Sequence, residues 1–275
     1  MSGKRLRLLV VLTLLLLLVI IVLAYGKLSP KGEVVFSPPT WEHWFGTDVI
    51  GNDILLACAD ALLIALVTLA IVLPAIYIGG LIIGSLLSYY SSARLREFLL
   101  NLVHYWVTLP VLLMAIFLLI LVGAGQANII GILIFVLIPT QSLYVYNKME
   151  EAKKQDFMIT KSSYGFTKRY IFVHHLFPFI RNSLNIYTLS RMPEILMMDL
   201  AFNFLGLGIQ LPNASFGRML FDGLSFMFSA WWMWVFPVVF VILLFVGVNL
   251  IAKVAIEHGR LLINGGWHGD YKRNT

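Results

Sequence analysis

Residues 54–90 read ILLACADALLIALVTLAIVLPAIYIGGLIIGSLLSYY, an almost uninterrupted apolar run. It does not alternate polar with apolar, as a membrane barrel strand must, so a helix is the way it can satisfy its backbone in hydrocarbon. A helix rises about 1.5 Å per residue and the hydrocarbon core is about 30 Å thick, so about 20 residues make one crossing. This run is too long for a simple span. It is expected to begin as an interfacial or tilted segment and to bend near Pro74, where a helix loses a hydrogen bond and meets a ring clash.

The remainder of the chain has the same character. Of 275 residues, 60% are hydrophobic and 12% charged, with a mean hydropathy of +0.88; a soluble domain has roughly 25% charged residues. Further apolar runs fall near Leu6–Tyr25, Phe98–Val122, Ile129–Tyr146, Ser183–Phe204 and Trp231–Ile256. The sequence therefore predicts an all-α integral membrane protein with six transmembrane helices in one bundle. Residues 1–28 read as an N-terminal span, 29–53 as an outer loop and 54–275 as the core. Lys4, Arg5 and Arg7 before the first run, and Ala24-Tyr25-Gly26 after it, resemble a signal peptide. Its apolar stretch exceeds the roughly 7–15 residues of a signal core, so retention as a span is the expectation. Cys58 is the only cysteine, which excludes an internal disulfide.

Sixteen of the twenty Lys and Arg residues fall on one side of such a six-span chain. That side is expected to be the cytoplasm, with both termini on it. The net charge of +6 thus reports topology, and no soluble basic face remains for nucleic acid. Seven of the sixteen lie between Lys148 and Arg181, in a polar segment at about 150–180. Phe157 and Tyr164 interleave with Lys153, Lys154 and Lys161 in its first half; Tyr170, Ile171, Phe172, Leu176 and Phe177 make an apolar side in its second. Two short helices are expected, divided at Gly165, with Pro178 ending the second. On physics alone the segment fits equally a docking surface for a soluble partner and an amphipathic loop resting on anionic headgroups.

Arg191, Glu194 and Asp199 lie in the fifth run, where ionisable groups are costly unless paired or hydrated. Arg191 and Glu194, three apart, share a helix face and can neutralise each other. They read as the lining of a transport path or as a structural ion pair between two such chains. Residues 204–230 are rich in turn-forming types and are expected to fold back towards the outer mouth. Trp231, Trp232 and Trp234 read as an interfacial belt. His174 and His175 are adjacent and point different ways, so no metal site is expected there; His43, near Trp41, Trp44 and Asp48 on the outer side, could touch a metal-bearing substrate or binding protein. No nucleophile-and-base arrangement stands out, and the absence of G-x-x-x-x-G-K-[ST] excludes a P-loop in this chain.

Four patches, in order, resemble permeases of the dipeptide, oligopeptide and nickel family of ABC importers. Gly46 to Asp53 (GTDVIGND) resembles G-T-D-x-x-G-R-D; Gly165 to Pro178 resembles the second half of the ATPase-docking motif, with His175-Leu176-Phe177-Pro178 similar to H-I-L-P. Asp199 to Gly208 (DLAFNFLGLG) resembles E-A-S-L-S-F-L-G-L-G, and Pro212 to Leu220 resembles P-x-P-S-W-G-x-M-L. The chain departs where the family has Glu-Ala-Ala, reading Ile159, Thr160, Lys161, and where Asn52 replaces arginine.

The resemblance implies a type I importer permease in the bacterial cytoplasmic membrane. It implies a homologous permease partner, two cytoplasmic ATPases that bind ATP and magnesium, a binding protein outside, and no cofactor here. ATPase docking would fall to Lys161, Tyr164, Gly165, Phe166, Thr167, Phe172, His175 and Pro178. The path would involve Arg191, Glu194 and Asp199. Binding-protein contact would involve Asp48, Asp53, Asn213, Ser215 and Arg218. Peptides are the leading cargo, with nickel or a metal chelate as the alternative. A secondary transporter would show repeated halves, and none is evident.

Overall fold

The computed structural model describes residues 34–89, 92–155, 167–210 and 213–271. The expected first span, with Lys161, Tyr164, Gly165 and Phe166, lies outside them. The helices are α1 Ile54–Tyr89, α2 Ala93–Thr108, α3 Val111–Val122, α4 Gln126–Lys153, α5 Lys168–Ile171, α6 Phe177–Ser190, α7 Met192–Phe204, α8 Phe216–Ser225 and α9 Trp232–Tyr271. A π-helical turn, Phe172–Leu176, joins α5 to α6. Among the described residues strand pairing is limited to an isolated bridge, Thr47 with Asp53. Helices α1, α4 and the Trp232–Val254 part of α9 are long and apolar enough to cross a membrane.

Prolines correct the expected boundaries. The third run, Phe98–Val122, is two helices, α2 and α3, bent by 92°. Pro110 is the reason: it excludes the helical region for the residue before it, and Leu109 is extended at φ −77°, ψ 142°. The fifth run is likewise interrupted: α6 ends at Ser190, with Arg191 as its cap, and α7 begins two residues later with Pro193 in its first turn. A proline there forfeits no hydrogen bond, because first-turn N–H groups have no intrahelical partner. Pro178 does not end a helix, as expected, but lies in the first turn of α6. The π turn just upstream, closed by Phe177 N–H donating to Phe172 O, widens the helix before the ring. In contrast, α1 runs on through Pro74 without a break.

Contacts divide the chain into two compact units. The described parts of the first are 34–70, 118–130, 192–210 and 213–254; those of the second are 71–89, 92–117, 131–155, 167–191 and 255–271.

In the second unit α1 meets α4 at Gly80-Leu-Ile-Ile-Gly84, a small-x-x-x-small pattern that lets two backbones approach. A Cβ on Gly84 would stand 2.6 Å from Ser142 O and 2.7 Å from Val145 Cβ; one on Gly80 would strike Gln141. Towards the ends of these helices the contact turns polar. Ser88 Oγ donates to Glu150 Oε1 at 2.6 Å, and Lys153 Nζ donates to Glu150 Oε1 at 2.8 Å and to Ser88 O at 2.5 Å. Ile171, Leu176, Ile180 and Leu184 pack with Val145, Met149 and Ala152 into one buried cluster. The apolar side read for Tyr170 to Phe177 is therefore real for Ile171 and Leu176, while Tyr170 is exposed.

In the first unit the segment before α1 is a set of turns held by side chains. Asp48 Oδ1 accepts from Ile50 N at 2.9 Å and Asn52 N at 2.8 Å, and Gly51 takes φ +83°. Asp53 caps α1, its Oδ1 accepting from Leu55 N at 2.9 Å and Leu56 N at 3.3 Å. Its Oδ2 lies 3.0 Å from His43 Nδ1, and both residues are buried. Trp232 is not part of an exposed belt: it is buried, its Nε1 donates to Thr47 O at 3.2 Å, and its ring covers Gly46. Asp53→Ala is predicted to lower stability by about 2 kcal/mol, from the lost cap and the orphaned His43. Asp53→Asn should keep most of it; thermal unfolding in detergent measures the order.

Candidate functional site

The C-terminus of α7 organises the first unit's polar residues. Leu207 N donates to Phe202 O at 2.9 Å and Gly206 N to Asn203 O at 3.1 Å, with Gly206 at φ +76°. This is a Schellman termination, which favours glycine at the left-handed position. Asn203 then holds the exit: its Nδ2 donates to Asp199 O at 2.9 Å and its Oδ1 accepts from Ile209 N at 2.9 Å. A Cβ on Gly208 would strike that same Oδ1. Gly217, in the first turn of α8, lies so close to α7 that a Cβ would strike Leu200 O and come within 2.5 Å of Phe204 N. The Phe-Leu-Gly-Leu-Gly and Ser-Phe-Gly patches are thus two sides of one backbone contact.

Asp199 lies one turn before this contact and is 7% exposed. Gln126 Nε2 donates to its Oδ1 at 2.7 Å and to Thr68 Oγ1 at 2.8 Å, linking the start of α4, α1 and α7. Asn203 Nδ2 reaches Gln126 Oε1 at 3.4 Å. Sequence reading passed over Gln126 and Thr68; a polar pair amid apolar runs was the signal available. Beside Asp199 opens a narrow cleft, with room for about one water-sized group, lined by α1, α7, α8 and α9.

The outer-loop candidates divide by burial. Asn213 is exposed. Arg218 is half-buried, donating to Asp222 Oδ2 at 2.9 Å and lying over the Phe221 ring. Ser215 and Asp53 are buried helix caps, Ser215 Oγ accepting from Arg218 N.

In the second unit, Arg191 Nη2 donates to Thr140 Oγ1 and to Tyr187 OH, each at 2.8 Å. Tyr187 stacks on Tyr144 with ring centroids 3.8 Å apart, and Tyr144 OH donates to Ser183 O at 3.1 Å. Gln141 Nε2 donates to Thr188 Oγ1 at 2.6 Å, while its buried Oε1 has no partner among the described residues. Glu194 stands in the first turn of α7. Of the docking candidates, Thr167 Oγ1 accepts from Tyr170 N at 3.3 Å, Phe172 packs on the buried cluster, and His175 lies edge-on to Tyr170. His174 stacks on the same ring at 4.3 Å.

Helices broken at prolines around membrane-length spans define a polytopic helical membrane protein. The comparisons place it further. Residues 80–258 match the model of the family described as binding-protein-dependent transport system inner membrane component, and the chain belongs to that family. It is 27% identical over 215 residues to the dipeptide transport system permease protein DppC of Bacillus subtilis, covering 78% of this chain and 67% of the relative. It is equally 27% identical to the glutathione transport system permease protein GsiD of Shigella dysenteriae, covering 78% and 70%. Inward-facing structures of the MetNI methionine ABC transporter share the fold, with a TM-score of 0.61 at 14% identity, covering 74% of this chain and 96% of that one. The chain is a permease subunit of an ABC importer, multi-pass in the inner membrane, and the ATPase is a separate subunit.

Gly217→Ala places its methyl against backbone atoms that cannot turn aside. It is predicted to cost about 1–3 kcal/mol, as overpacking does, and to reduce uptake; detergent unfolding and vesicle transport measure the two.

Proposed function

We propose that this chain forms half of a translocation pathway that moves short peptides inward, powered by ATP hydrolysed on partner subunits. The observation that carries the cargo class is the company of similar chains, which includes permeases for dipeptides and for glutathione. This favours peptides over nickel or a metal chelate. Six spans, with residues 1–28 as the first and both termini cytoplasmic, accord with sixteen of twenty basic residues falling on one side.

The partner permease is homologous rather than identical, because the altered Ile159-Thr160-Lys161 stretch leaves the more usual docking contacts to the other chain. Two cytoplasmic ATPases, each holding ATP and magnesium, engage the pair, one of them at the segment around 150–180. Lys161, Tyr164, Gly165, Phe166, Thr167, Phe172, His175 and Pro178 are the residues that dock on the ATPase, the last three at the start of α6 or just before it. That junction is supported by the buried packing of Ile171 and Leu176 on α4, which lets a push on the segment reach a span. Outside, Asn213, Asp48 and Arg218 meet the binding protein, while Asp53 and Ser215 keep the loops in shape. Arg191, Glu194 and Asp199 line the path.

Uptake of radiolabelled dialanine by cells carrying the transporter is expected to fall to background when this chain is deleted. Undiminished uptake contradicts the peptide reading. Tyr164→Ala or Gly165→Pro is expected to abolish ATPase stimulation while the chain still inserts; retained stimulation removes the docking role.

A further inference from the structure

We propose that the cleft beside Asp199 receives the primary ammonium group of the cargo, with Asp199 Oδ2 as its counter-charge. This rests on the peptide reading and names the part of the peptide that this wall takes, its free amino terminus.

The cleft lies wholly within the first unit and has room for about one water-sized group, such as a single ammonium head. Its walls come from Ala61 and Ala65 of α1, Leu196 of α7, Phe216 of α8, Leu244 of α9 and their neighbours. Among the described residues Asp199 is the only ionisable one lining it, and Ser215 is its other polar side chain. The carboxylate is also held in place: Oδ1 takes the Gln126 Nε2 hydrogen bond at 2.7 Å, and the same nitrogen is anchored on Thr68 at 2.8 Å. Among the described residues no cation pairs with Asp199, and no donor is bonded to Oδ2.

A carboxylate at membrane depth is costly until a positive charge or a proton meets it, and one amide dipole offsets only part of that cost. An ammonium group brings the charge and three donors. Asp199 Oδ2 takes one, and Ser215 Oγ, engaged only by a long 3.4 Å contact from Arg218 N, offers a second acceptor. A divalent metal ion, which seeks six or more oxygen ligands or retained waters, finds one carboxylate and one hydroxyl.

The test uses the full chain purified with the subunits that accompany it. Dicyclohexylcarbodiimide, an apolar reagent for carboxyl groups, is applied, and modification of Asp199 is followed by peptide mass spectrometry. Asp199 is expected to label, and Asp199→Asn to lose that label. Ethylammonium chloride and dialanine are each expected to slow labelling about tenfold at about ten times their Kd, whereas sodium chloride and N-acetyl-dialanine leave it unchanged. Protection by ethylammonium without protection by dialanine keeps the ammonium site and contradicts the peptide reading instead. Absence of labelling in the probe-free protein, or labelling indifferent to both amines, overturns the proposal. Protection by phosphatidylethanolamine vesicles in place of dialanine assigns the cleft to a lipid headgroup and overturns it as well.

Discussion

Helices dissolved in hydrocarbon gain little by hiding leucine from lipid, so what holds them together is close backbone approach and shared hydrogen bonds. Much of this structure follows from that constraint. Gly80 and Gly84 bring α1 against α4, and Gly208 and Gly217 bring the exit of α7 against its neighbours. Each contact has no room for one more methyl. Where helices end, the freed groups are taken up locally: Asp53 caps α1, Ser215 caps α8, and the Gly206 turn closes α7. These devices satisfy the backbone without relying on water.

The same contacts position the buried polar residues. Asp199 is held by Gln126 because α4 begins beside the α7 exit, where Gly125 N donates to Leu207 O at 3.1 Å. Arg191 sits where α6 stops, reaching a threonine and a stacked tyrosine pair. A permease needs no reactive centre of its own.

Much of this architecture was legible before any coordinates. Apolar runs marked α1, α4 and α9 because nothing else satisfies so long an apolar backbone in lipid. The Phe-Leu-Gly-Leu-Gly patch was legible as a family mark but not as a Schellman turn, since the sequence does not say which glycine turns and which merely clears space. Pro110 carried a readable signal that hydropathy hid, because it sits inside a run apolar enough to pass as a single span. Pro178 misled in the other direction, because a proline ends one helix or begins another depending on the turn before it. Trp232 looked like an interfacial anchor by composition, and only its hydrogen bond to Thr47 reveals a buried pin. The pairing of Gln126 with Asp199 joins residues 73 apart and had no local trace.

The most direct test of the packing claim compares thermal unfolding midpoints, in one detergent, of Gly84→Ala and Leu113→Ala. Propensity alone makes alanine better than glycine in a helix by about 0.8–1 kcal/mol, and truncating a leucine in a soluble core costs about 2–5 kcal/mol. The account predicts the reverse order here: a clear loss of stability for Gly84→Ala, whose methyl meets Ser142 O, and little change for Leu113→Ala, which is 63% exposed. A stabilised Gly84→Ala alongside a strongly destabilised Leu113→Ala would contradict it.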